Sequence, residues 1–123
     1  MDKAQAIHEF WSSFGLTAYD ETILPDDAQI PYITYNVSTG DIDDAQVLNA
    51  SLWYRSTSWK EVTEKEKEIA EYIAKNGHVV LKLDNGYLWI TKANTFSQRM
   101  SDPGDSMVRR MYLMINVEFL TGY

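Results

Sequence analysis

Arg110-Met111-Tyr112-Leu113-Met114-Ile115-Asn116-Val117-Glu118-Phe119 is the stretch whose reading decides the fold. Met111, Leu113, Ile115, Val117 and Phe119 fall on one side of an extended chain, and Arg110, Tyr112, Met114, Asn116 and Glu118 on the other. Strict alternation of this kind predicts a strand, here over about 108–120, with one face on a core and the other turned away from it.

Working back along the chain, Val79 to Leu83 and Tyr87 to Lys92 flank Asp84-Asn85-Gly86. Asn-Gly between two β-prone runs predicts a hairpin. Residues 93–105, with Asp102-Pro103-Gly104 near their end, read as a long connecting loop, and a loop of that length is either functional or simply flexible. Before the hairpin, Val62, Ile69 and Ile73 form a helical stripe flanked by Trp59 and Tyr72, with Ser58 and Glu61 in the pattern of a capping box and a stop at Asn76-Gly77. Glu61 and Lys65 are spaced for an ion pair on its solvated face. Residues 46–56 alternate as a strand, Leu48, Ala50, Leu52 and Tyr54 on one face and Asn49, Ser51, Trp53 and Arg55 on the other. Ile30 to Val37 is a second β-prone run, placed by Pro31 at a strand start or a sheet edge, and Ser38 to Asp41 turns the chain. Residues 16–29 lack a period and read as surface loop. Asp2 and Gln5 form a capping box for a helix over 3–14, whose Ile7, Phe10, Trp11 and Phe14 make one apolar face before Gly15.

The order is therefore α-β-β-α-β-β-β. It predicts an α+β two-layer sandwich in one domain over residues 1–123, an antiparallel sheet of four to five strands with two helices on one face. Met111, Leu113, Ile115, Val117 and Phe119 are expected to point at Ile7, Phe10, Phe14, Ile69 and Ile73.

The chain has 11 Lys and Arg against 18 Asp and Glu, a net charge of −7. Such a surface repels phosphate backbones and anionic membranes, although DNA could still pass through an acidic opening. There are no cysteines, which excludes disulfides and thiolate chemistry and fits a reducing cytoplasm. No apolar run has the length of a membrane span and the first residues lack the pattern of a signal peptide. The 8 Tyr, 4 Trp and 4 Phe suit either a core or an interface.

Evidence for catalysis is thin. His8 and His78 are isolated and read as ordinary surface histidines. Asp26-Asp27, Asp41/Asp43/Asp44 and Asp102/Asp105 suit turns, with cation binding or acid–base work as the alternative. No Ser sits in a nucleophile motif, and no glycine-rich phosphate loop is present. No catalytic residue, metal or cofactor is expected. Glu66 falls inside the apolar stripe of the second helix, either as a stripe-edge carboxylate reaching solvent or as an intersubunit partner for an arginine. Met100, Met107, Met111 and Met114 cluster late in the chain, with Met114 on the polar face as an adaptable contact.

Four segments carry a resemblance to a known family: Ile30-Pro31-Tyr32-Ile33-Thr34-Tyr35, Tyr54-Arg55-Ser56-Thr57-Ser58-Trp59, Gly86-Tyr87-Leu88-Trp89-Ile90, and Phe96-Ser97-Gln98-Arg99-Met100-Ser101-Asp102 leading to Arg109-Arg110-Met111-Tyr112 and Val117-Glu118-Phe119-Leu120. From Ile30 onward the chain resembles the tail-terminator (tail-completion, or minor structural) proteins of long-tailed phages of Gram-positive bacteria. The resemblance implies a virion subunit that assembles with itself into a ring, expected to be hexameric. The ring caps the head-proximal end of the tail tube and docks to the head–tail connector, with DNA only passing through and no membrane partner. Alternatives are a head–tail joining protein of the neck, the same subunit in a prophage remnant or tail-like bacteriocin, a cytoplasmic protein-binding module, and an enzyme with a diffuse polar site. In a ring, Trp53, Arg55 and Trp59 are candidate anchors. Loop 94–105, with Phe96, Gln98, Arg99, Met100, Asp102 and Asp105, is the candidate for ordering on contact. Arg55, Arg99, Arg109 and Arg110 suggest a basic edge that meets an acidic edge of the next copy, supplied by 41–44 and 102–105.

Overall fold

The computed structural model describes residues 1–38 and 45–120. Helix α1 (Lys3–Ser12) begins with the expected capping box: the Asp2 carboxylate accepts from the Gln5 amide and the Gln5 side chain accepts from the Asp2 amide. The chain leaves the helix through Gly15 at φ 82°, a left-handed angle that glycine adopts without a Cβ clash. Then come β1 (Thr17–Asp20), a 3-10 turn at Glu21–Ile23, β2 (Tyr32–Tyr35), β3 (Ala45–Arg55), α2 (Lys60–Ala74), β4 (Val79–Leu83), β5 (Gly86–Met100) and β6 (Val108–Leu120).

The expected antiparallel sheet of four to five strands is overturned. Six strands form one mixed sheet in the order β1-β2-β3-β6-β5-β4, curled into a half-barrel with two helices. The mixing comes from β1, which lies parallel to β2, while every other pair is antiparallel. Residues 16–29 conceal that strand because it is only four residues long, with one buried position, Ala18. Such a segment offers no period to read. Curling also changes the helices. They do not lie side by side on a flat layer: α1 touches both edge strands, β1 and β4, while α2 covers β3, β5 and β6.

The centre is β6, which pairs with β3 from Ala45↔Glu118 to Arg55↔Val108 and with β5 on its other side. Its odd residues from Met111 to Phe119 join Ile7, Phe10, Trp11, Phe14, Val62, Ile69 and Ile73 in one cluster of buried side chains. Two ties close the ends. The Met1 ammonium pairs with the Asp84 carboxylate at 2.6 Å, and the Lys65 ammonium donates to the Phe14 carbonyl at 2.7 Å. Lys65 thus pairs with Glu68, at 3.1 Å, rather than with Glu61. Nor does Ser58 build a capping box: its hydroxyl accepts from the Lys60 amide, and the N-cap position is Trp59.

The largest departure lies at residues 93–105. Most of that expected loop is strand, since β5 continues to Met100. Pairing passes from Lys92↔Ile115 to Ser97↔Leu113, so β5 advances five residues while β6 advances two. A bulge of this kind disguises a strand in sequence because it breaks the period of two, and it exchanges the faces of the residues beyond it. Before the bulge the even residues Leu88 and Ile90 face the core; after it the odd residues Ser97 and Arg99 share the side of Leu113 and Met111. Phe96, within the bulge, packs against the core edge. A segment paired along β6 is not a free loop awaiting a partner, and that expectation is withdrawn.

Leu113 is fully buried at the middle of β6. Leu113→Ala should destabilise the fold by about 2–5 kcal/mol, and Glu118→Gln, exposed on the opposite face, by less than about 0.5 kcal/mol, in urea titrations. Tyr54 is buried, and burial, followed by the nearby Glu61 and Glu68 carboxylates, raises its phenol above 10.0. A raised value favours the neutral form in the folded state, so this stabilisation is complete below about pH 10. It is lost as pH climbs through the folded value, and the urea midpoint of Tyr54→Phe should fall less steeply over that alkaline range.

Candidate functional site

The tryptophans and arginines singled out by sequence form two separate groups, because β-strand alternation sends Arg109 and Arg110 to opposite faces. On the core side, beyond the end of the hydrophobic cluster, the guanidiniums of Arg99 and Arg109 lie over the Trp59 ring, 4.9 and 5.5 Å from its centroid. The strand-to-helix corner supplies Trp59, β6 supplies Arg109, and the part of β5 beyond the bulge supplies Arg99. Each cation over an indole face gains about 0.5–1 kcal/mol at an exposed site. Arg109 also donates to the Ser106 carbonyl at 2.7 Å, and its Nε is buried with no hydrogen-bond partner among the described residues. Arg99 is exposed, and among the described residues neither arginine forms an ion pair with a carboxylate.

Beside this group Arg55 donates to Asp105 in an ion pair within the chain. The Met107 amide and then the Arg55 guanidinium hold the Asp105 carboxyl below the ordinary value of 3.8. Asp102 accepts from the Gly104 amide at 2.8 Å, and Asp105 accepts from that of Met107 at 2.9 Å, the turn-forming roles expected of them. This overturns the idea that 102–105 supplies an acidic edge remote from the arginines. The acid lies next to them and neutralises one. The other acidic cluster, at 41–44, lies outside the described residues.

The second group lies on the helix-free face. Trp53 donates from its indole N–H to the Thr34 hydroxyl at 2.8 Å, and Arg110 donates from Nε to the Ser51 hydroxyl at 3.0 Å. The Arg110 guanidinium lies over Trp53 at 4.6 Å and over Tyr112 at 5.9 Å, while Tyr32 packs between Tyr19 and Trp53. This belt covers Thr34 and Ser51, both buried. Trp53 and Arg110 are therefore engaged within the subunit, and Arg110 is not part of a common basic edge with Arg99 and Arg109. Gln98 is exposed and Met100 half-buried on that face near the belt, and Glu66 is half-buried with no ion pair among the described residues.

Sequence reading missed the other half of this face. Val80, Tyr87, Trp89 and Val47 are exposed there, with His78 stacked on Trp89 at 4.5 Å. The available signal was the alternation of Tyr87 and Trp89 with Leu88 and Ile90. It also missed a segregation of charge: between Lys3 and Arg55 there is no Lys or Arg at all.

Among the described residues no three His, Asp or Glu converge as a metal site, and no helix is long and apolar enough to cross a membrane. No protein-family model matches the chain, and no curated protein matches it.

Asp105 should titrate below 3.8 in a carbon-detected NMR experiment. In Arg55→Ala the midpoint should move up but stay depressed, because the Met107 amide remains. An unchanged midpoint would show that the ion pair does not form in solution.

Proposed function

We propose that this chain is a structural subunit of a phage neck, a tail terminator that forms a ring, caps the head-proximal end of the tail tube and meets the head connector. The observation that carries the reading is the Trp59–Arg99–Arg109 cluster. Two guanidiniums are held in place by one indole, at one end of the sheet, and neither forms an ion pair among the described residues, in a chain of net charge −7. Fixed cations of this kind are suited to an acidic neighbour, because the side-chain ordering cost is met inside the subunit. Each rim charge adds little affinity, but together they set register and penalise wrong pairings. The family resemblance of the strand segments from Ile30 onward supports the same assignment, and the acidic surface suits a passage through which DNA slides without being held.

Arg99 is the residue that tests it. Arg109 and Arg110 are internally engaged and reversing either would disturb packing, whereas Arg99 is exposed. Arg99→Glu should leave circular dichroism unchanged and yield tail tubes of uncontrolled length under the electron microscope. Tails of normal length joined to heads would refute the terminator reading. Tails of normal length left apart from filled heads would assign the chain to the head–tail joint instead.

A further inference from the structure

The described residues carry two exposed apolar features at opposite edges of the sheet. On the β1 side, Ile23 is 73% exposed and Leu24 38% exposed, together at the end of the 3-10 turn that follows β1. On the β4 side, Val80 pairs directly with Trp89, Lys82 with Tyr87, and Trp89 with Glu118, which faces Ala45. These rows put Val80, Tyr87 and Trp89 on one surface, and a shallow hollow of about 230 Å³ opens there between Ala45, Trp89, Thr91, Asn116 and Glu118. His78, stacked on the indole, holds one side of the patch. The aromatic belt covers the other half of this face, but nothing among the described residues covers this half.

We infer that the Ile23–Leu24 knob of one copy seats on the Val80–Tyr87–Trp89 patch of the next, so that the subunit associates head to tail with a second copy of itself. The contact is not made within the subunit, where Ile23, Leu24, Val80, Tyr87 and Trp89 are all exposed. A knob at one edge and a socket at the other define a heterologous interface, which repeats until rotation closes it into a ring. Charge selects the same partner. Glu21, Asp26 and Asp27 are exposed around the knob, and Asp20, whose carboxylate caps the turn through the Thr22 amide and hydroxyl, adds a fourth negative charge. Along the chain no basic residue lies between Lys3 and Arg55. At the socket, Lys82 shares the exposed face of Val80, and Lys75 precedes β4; neither pairs with a carboxylate among the described residues. Among the described residues lining the hollow Glu118 is the one carboxylate, and Asp84, in the turn after β4, is paired with the Met1 ammonium. A tryptophan beside aliphatic side chains is the usual composition of an interface centre, and the charges around it form the rim. The two ends attract each other, whereas knob against knob brings acid to acid, so the chemistry disfavours a symmetric dimer.

This contact deepens the ring reading and rests on it only for closure, and the absence of cysteine makes both testable in one experiment. Ile23→Cys and Val80→Cys variants, one carrying a size tag, are mixed as concentrated protein with a short bismaleimide. The control pairs Ile23→Cys with Tyr72→Cys, exposed on α2. Leu24→Cys and Val47→Cys serve as a second pair, and circular dichroism checks the fold of each variant. The tagged heterodimer should form about tenfold faster than in the control, since a seated contact raises the effective thiol concentration. Equal rates in both pairs would overturn the contact, as would preferential cross-linking of Val80→Cys to tail tube protein when tubes are added. The Ile23→Cys/Val80→Cys double variant separates the two ideas. A ladder ending in one closed species supports contact and ring together, whereas an open ladder keeps the contact and removes the ring.

Discussion

A strand that alternates strictly must satisfy two environments at once, and β6 does so between two partners. Its odd side chains build the core with both helices, while its even side chains reach the helix-free face. Both neighbours inherit that division through register, because residues facing each other across a ladder share a side of the sheet. Leu48, Ala50 and Leu52 on β3 and Leu88 and Ile90 on β5 are buried for this reason. Curling then lets one modest helix, α1, reach both edges, so a sheet of six strands encloses its core with only two helices.

The bulge in β5 is the one place where this inheritance is interrupted, and the candidate site lies just beyond it. Without the exchange of faces, Arg99 would lie on the side of Tyr112 and Trp53. With it, Arg99 reaches Trp59 and meets Arg109, the β6 residue that projects to the same side. The bulge therefore concentrates two cations at one end of the sheet on the helix side. Arg110, one residue further, goes to the opposite face and holds the aromatic belt together through Ser51 and Trp53. Charge is uneven on a larger scale as well: the β1 side lies in a stretch without lysine or arginine, and the β4 side carries Lys75 and Lys82. An uneven distribution of charge over one small subunit favours association in a fixed orientation over non-specific clustering.

Much of the fold was legible in the chain. The capping box of Asp2 and Gln5, the stripe of Val62, Ile69 and Ile73, and the alternation from Met111 to Phe119 are local patterns, each read within two or three turns or a few strand residues. They settle which residues are core, because burying apolar area dominates the energetics whatever the topology. The chemistry of the arginines was also legible as a cluster, but not its division, since a charge count is blind to which face a side chain occupies.

Tertiary structure alone decided the rest. The strand Thr17–Asp20 exists because β2 offers it an edge, and its parallel pairing cannot be inferred from four residues with one buried position. The pairing of Ser97 to Met100 exists because β6 runs beside them, and the bulge before them erased the period that would have announced a strand. Arg55 is neutralised by Asp105 fifty residues away, and Trp59 collects its two arginines from different strands. The sequence by itself determined the two helices, the long central strand and most of the core, which follow from short-range periodicity. Sheet order, the facing of Arg99 and the separation of knob from socket depend on contacts between distant segments, and only the folded chain brings those segments together.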